Sequence, residues 1–133
     1  MLADSKCVAT VATADVAAAR AFYVDKLGLK PQLDSEDGLG FILPDGSGLM
    51  VYHRPGHSAP ENTAVTFVVA DARAEVAELQ GRGVTFQDYD LPESGIKTVD
   101  GIASDPDGGA MAWCKDPAGN ILGIMTMPPG AQG

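Results

Sequence analysis

The sequence predicts an α+β fold built from two repeated βαβββ modules. Apolar residues recur at strand spacing, and two helix-forming stretches, each preceded by an aspartate, interrupt that pattern at matching places in the two halves. Sixteen glycines and nine prolines in 133 residues break the chain too often for a helical bundle, so many short elements are expected.

The elements follow in order. Residues 6–13 are small and partly β-branched, a first strand. Asp15 caps a helix whose inward stripe is Val16, Ala19, Tyr23 and Leu27, and Gly28 ends it. Strands are expected at 29–33, 39–43 and 49–53, the last two joined by the reversal Pro44-Asp45-Gly46-Ser47-Gly48. Residues 54–62 contain Pro55, Gly56 and Pro60 and form a linker. The pattern then restarts with a strand at 64–69 and a helix capped by Asp71, with Ala72, Val76 and Leu79 inward and a stop at Gly83. A strand at 84–89 leads into a long loop, 90–109, with a short strand near 98–103. Strands at 110–115 and 121–127 flank the hairpin Asp116-Pro117-Ala118-Gly119-Asn120. The expected organisation is one domain, with module one at about 5–53, module two at about 63–127 and a flexible tail at 128–133.

The repeat is degenerate. A shift of 56 superposes Ala14-Asp15 on Ala70-Asp71, and a shift of 55 superposes Leu27-Gly28-Leu29 on Arg82-Gly83-Val84. A shift of 72 superposes Phe41 on Trp113 and Leu49-Met50 on Ile121-Leu122.

Composition narrows the function classes. Eighteen acidic against nine basic residues leave a formal charge of −9, which disfavours nucleic acid and anionic membrane as partners. Mean hydropathy is +0.03 and no apolar run approaches membrane-spanning length, so a cytoplasmic protein is expected. Cys7 and Cys114 each lie in an apolar strand-like run, as buried reduced thiols would. No nucleophile motif, phosphate-binding glycine loop or CxxC is present.

Asp15-Val16 with Phe22-Tyr23 and Leu27-Gly28-Leu29, then Phe67-Val68-Val69-Ala70-Asp71, then the stretch from Trp113 to Asn120, resemble the vicinal oxygen chelate superfamily. That superfamily includes glyoxalase I, extradiol dioxygenases, fosfomycin-inactivating enzymes and bleomycin-binding resistance proteins. The resemblance covers nearly the whole chain and implies curled mixed sheets forming a cup, with helices on the outer faces. In metal-dependent members four inward histidine, glutamine or glutamate side chains bind one divalent ion. Carried onto this chain, those positions fall at Val8, Val51, Ala64 and Gly123, none of which offers a donor to a cation. The resemblance therefore leads to the metal-free, drug-binding resistance branch, with no cofactor.

Strand alternation then assigns the cup lining. Thr10 and Thr66 join Val8 and Ala64; Leu49 and His53 join Val51; Ile121 and Met125 join Gly123; Leu39 and Phe41 pair by repeat with Met111 and Trp113. Tyr89, at a strand end, lies in reach of the cup mouth. Cys7, Ala9, Val11, Val65, Phe67 and Val69 are expected beneath the helices, together with Tyr52 and the small Gly40, Ala112 and Cys114. The expected ligand-binding set is Thr10, Phe41, Leu49, Val51, His53, Thr66, Tyr89, Met111, Trp113 and Met125, a lining suited to an aromatic or polycyclic molecule. Trp113 equally fits a core or dimer interface. His57 is expected to be an exposed linker residue, and Glu93, Lys97, Asp100, Asp105 and Asp107 lie on a loop that is either a lid or solvated.

The expected function is stoichiometric sequestration of a small hydrophobic or aromatic ligand, with no catalytic residues, in a homodimer whose cups form within a chain or across facing chains. The charge of −9 mildly favours cationic ligands. The alternatives are a metal-dependent lyase or dioxygenase with relocated ligands such as His53, Glu61 or Glu93, and a duplicated scaffold for protein interaction.

Overall fold

The computed structural model describes residues 1–106 and 108–127; the expected tail at 128–133 and Asp107 lie outside the described residues. The chain divides into two compact units. One comprises Met1–Glu61 with the hairpin Asp116–Asn120, and the other comprises Asn62–Lys115 with the residues from Ile121 on.

In the first unit, β1 (Val8–Thr13) leads into α1 (Val16–Arg20), which widens into a π-helical segment, Ala21–Lys26. Asp15 caps α1 as expected, its side chain accepting from Ala18 N at 3.0 Å. The amide of Leu27 donates to Phe22 O across five residues, and the wider turn lets the consecutive Phe22 and Tyr23 both be buried. Their rings meet edge to face, with centroids 5.2 Å apart. β2 (Pro31–Ser35), β3 (Gly38–Ile42) and β4 (Gly48–His53) complete a four-stranded mixed sheet in the order β1-β4-β3-β2.

In the second unit, β5 (Thr63–Val68) precedes α2 (Ala72–Gly81), capped by Asp71 through Ala74 N at 3.2 Å. Short strands β6 (Asp90–Leu91), β7 (Ile96–Lys97) and β8 (Ala103–Ser104) lead to β9 (Ala110–Lys115) and β10 (Ile121–Thr126). The second sheet runs β5-β10-β9-β8 and β6-β7 is a separate hairpin. In both sheets the first strand pairs in parallel with the last, as a βαβββ module requires.

The expected strand at 84–89 is not a regular element. Phe86 bridges to Cys114, and the chain then leaves the sheet edge, forms the β6-β7 hairpin and returns to β9 as β8. The long insertion thus splits the second-module counterpart of β2. Its return turn needs Gly101, which has φ +81 and at which a Cβ would fall 2.9 Å from the Cβ of Phe86.

The sheet faces correct part of the expected lining. In the second unit alternation places Val65, Phe67, Ala112, Cys114, Leu122 and Ile124 on one face and Thr66, Trp113, Gly123 and Met125 on the other, as expected. In the first unit Val11, Leu39, Phe41, Leu49 and Val51 share the face on which α1 packs, and Val51 is fully buried. The Tyr23 and Phe41 rings lie 6.1 Å apart, which fixes that face as the helix side. Leu39, Phe41, Leu49 and Val51 are therefore core residues and not cup residues. Gly40, Met50 and Tyr52 occupy the opposite, open face.

The true repeat pairs Met50 with Gly123, each opposite the equivalent threonine, Thr10 or Thr66, an offset one residue longer than the size match of Phe41 with Trp113 implies. A one-residue slip exchanges the faces of a strand. Cys7, expected to be buried, precedes β1 and is exposed, whereas Cys114 is buried as expected.

Candidate functional site

The open face of the first sheet is apolar. Thr10 pairs with Met50, Met50 with Gly40, and Gly40 with Leu33, so one row crosses all four strands. Val8, Leu33 and Ile42 are 52%, 60% and 61% exposed, and Met50 and Tyr52 are about two-fifths exposed. Apolar side chains gathered in this way on one sheet face, rather than scattered singly, make the face a candidate for binding. Gly38 borders a depression of about 210 Å³ beside Leu33, Ser35, Asp37, Met50 and Tyr52. Gly38 has φ +151, and a Cβ there would sit 2.3 Å from Val51 O, so no side chain can fill that corner.

The equivalent face of the second sheet has the opposite order of sizes. Gly123 stands where the first sheet has Met50, and Trp113 stands where it has Gly40. A Cβ at Gly123 would lie 3.2 Å from Thr66 Oγ1 and 3.5 Å from Trp113 Nε1, so the absent side chain makes room for the indole. Tyr89 meets Trp113 edge to face with centroids 5.5 Å apart, and Trp113 is 7% exposed. Of the expected ligand residues, Thr66, Tyr89, Met111, Trp113 and Met125 are thus brought to one unit, with Met111 and Met125 half-buried. Thr10 lies on the open face of the first sheet. His53 is exposed at the end of β4, in phase with Val51 rather than with Met50 and Tyr52.

The insertion that carries Tyr89 is organised by Asp88. Its Oδ1 accepts from Thr98 Oγ1 at 2.7 Å and from Gly101 N at 2.8 Å, and Thr98 Oγ1 accepts from Tyr89 N at 2.7 Å. These bonds, Thr98 first, hold the Asp88 carboxyl below its ordinary range. A depressed folded value means that the carboxylate stabilises the loop above the unfolded value of roughly 4, and that this contribution is lost as pH falls through the folded value. Amide exchange at Thr98 and Gly101 is therefore expected to accelerate below about pH 4 relative to the helix amides, and Asp88→Asn to show the faster exchange already at pH 7. Equal protection in wild type and variant would dismiss the latch.

A buried polar cluster in the first unit escaped sequence reasoning. Asp116 Oδ2 accepts from Tyr23 OH at 2.7 Å and Asn120 Nδ2 at 2.8 Å, while Oδ1 accepts from the amides of Ala118 and Asn120 at 2.9 and 2.8 Å. Asn120 Nδ2 also donates to Ala12 O at 2.8 Å, so its Oδ1 accepts from His57 Nε2 at 3.0 Å. His57 is accordingly half-buried and bonded, which corrects the expected exposed linker residue. The cluster anchors the hairpin and the linker and exposes no group to a ligand.

No position that the resemblance assigns to metal binding carries a donor fit for it. Val8, Ala64 and Gly123 have none, and the first-sheet position is Met50 once the register is corrected, a thioether unsuited to a hard cation. Among the described residues no three histidine, cysteine, aspartate or glutamate side chains converge, His53, Glu61 and Glu93 included.

Residues 7–124 match the family model described as Glyoxalase/Bleomycin resistance protein/Dioxygenase superfamily. The chain belongs to that superfamily. Among solved members, a glyoxalase/bleomycin resistance protein from Catenulispora acidiphila DSM 44928 is 24% identical, with a TM-score of 0.68 over 92% of this chain and 98% of that one. A lactoylglutathione lyase from Agrobacterium tumefaciens is 22% identical, with a TM-score of 0.64 over 98% and 97%. Oxidase ChaP-H2 is 24% identical, with a TM-score of 0.63 over 97% and 98%. At these identities the likeness to superfamily structures is one of fold, and lyase and oxidase share it. No curated protein matches the chain. Among the described residues no helix is long and apolar enough to cross a membrane.

Proposed function

We propose that this superfamily member is a non-catalytic binding protein that sequesters an aromatic or polycyclic small molecule without a metal, in a natural-product resistance role. The observation that supports this reading most is the donor set. Val8, Met50, Ala64 and Gly123 stand where metal-dependent relatives need oxygen or nitrogen ligands, and the same faces carry Leu33, Tyr52, Trp113, Met111 and Met125. Methionine and aromatic side chains adapt to flat organic ligands. A homodimer with two ligand sites follows from the same reading, since the resemblance implies pairing of modules from facing chains.

Two measurements test it together. Metal analysis of the purified protein is expected to find far less than one divalent ion per chain. A thermal-shift screen against polycyclic natural products is expected to find a ligand that, at 100 times its dissociation constant, stabilises the fold by about 2.7 kcal/mol. One tightly held ion per chain, with an activity abolished by chelation, overturns the reading.

A further inference from the structure

We propose that the depression on the first sheet binds the cationic end of the ligand, an aromatic or alicyclic ammonium, with Asp37 as its counter-ion. The inference rests on the ligand-binding reading above and names the chemical class that the site selects. It is lined by the apolar Leu33 and Met50, by Tyr52, by the β3 and β4 residues Gly38, Leu39 and Val51, and by Ser35 and the exposed Asp37 in the turn between β2 and β3. All lie in one unit.

Charge decides the class. The acid of β2, Asp34, is already paired with Arg20, which donates from Nε at 2.9 Å and from Nη2 at 2.5 Å. Asp37 has no ion pair among the described residues. Its backbone is fixed instead, since its carbonyl accepts from His53 N at 2.8 Å and its amide donates to Ser35 Oγ at 3.2 Å. An unpaired acid lining the same depression as apolar side chains and a partly exposed tyrosine can offer an ammonium both an ion pair and an aromatic ring. An anionic ligand meets the opposite field, on a chain of charge −9. The volume of about 210 Å³ sets the size. A dry cavity of about 150 Å³ accepts benzene, so one or two fused rings fit here.

The test uses two probes of the same shape, 1-naphthylmethylamine and the neutral 1-naphthylmethanol, titrated into the intact protein at pH 7 and low salt while backbone amide shifts are followed. The amine is expected to bind at least about fivefold tighter than the alcohol, with the largest shifts at Gly38, Gly40, Met50 and Tyr52. Asp37→Asn, at an exposed turn, is expected to erase the preference, and Tyr52→Leu to reduce it. Equal affinities, an unchanged preference in Asp37→Asn, or shifts centred on Trp113 overturn this inference and leave the ligand-binding reading standing. If neither probe binds and the natural-product screen is also blank, both readings fall.

Discussion

Asp116→Ala is expected to remove about 3–4 kcal/mol of unfolding free energy, read as a lower urea midpoint at unchanged slope. The carboxylate is 5% exposed and accepts four hydrogen bonds. Alanine leaves the Tyr23 hydroxyl and two amides without their partner in a buried setting, and each unsatisfied donor costs about 1–3 kcal/mol before relaxation and water entry. Tyr23→Phe removes one donor and leaves the carboxylate with three, so a smaller loss of about 1 kcal/mol is expected. Equal losses in the two variants would show that Asp116 acts through Tyr23 alone. Because the cluster exposes no group to a ligand, ligand affinity is expected to be unchanged in Tyr23→Phe.

Trp113→Ala is expected to cost about 3–5 kcal/mol of stability, since a buried indole leaves a cavity that β9 and β10 cannot close. Tyr89 loses its edge-to-face partner in the same step. Stability and binding are separated by Trp113→Phe, which keeps an aromatic ring against Tyr89. If an aromatic ligand uses this face, Trp113→Phe weakens it about tenfold, or about 1.4 kcal/mol, measured by calorimetric titration. An unchanged affinity removes Trp113 from the site and leaves it as a core residue of the second unit.

The second-module sheet was legible because its two faces differ in kind. Ala112 and Cys114 are small and apolar, so Trp113 and Met111 fall naturally on the other side. The first-module sheet was not, because Phe41 and Trp113 match in size and drew the repeat one residue out of phase. A signal was present: apart from His53 at the strand end, Leu39, Phe41, Leu49 and Val51 have wholly apolar side chains, whereas the alternate set includes the Tyr52 hydroxyl in mid-run. The set that is apolar along its central run is the one that tolerates complete burial there. The Asp116 cluster had no comparable signal, since Tyr23 and Asp116 are 93 residues apart and only the folded chain brings them together.

Local sequence by itself determined the two βαβββ modules, the capping of both helices by Asp15 and Asp71 and the hairpin turns. Those features depend on residue type and near-neighbour spacing, which a chain carries before it folds. The tertiary structure decided which face of the first sheet lies open, where the long insertion departs from β9 and which acid stands unpaired in the depression. Each of these depends on strand register and on partners distant in sequence. A shift of one residue leaves composition and periodicity unchanged while it moves Met50 and Tyr52 from core to open face.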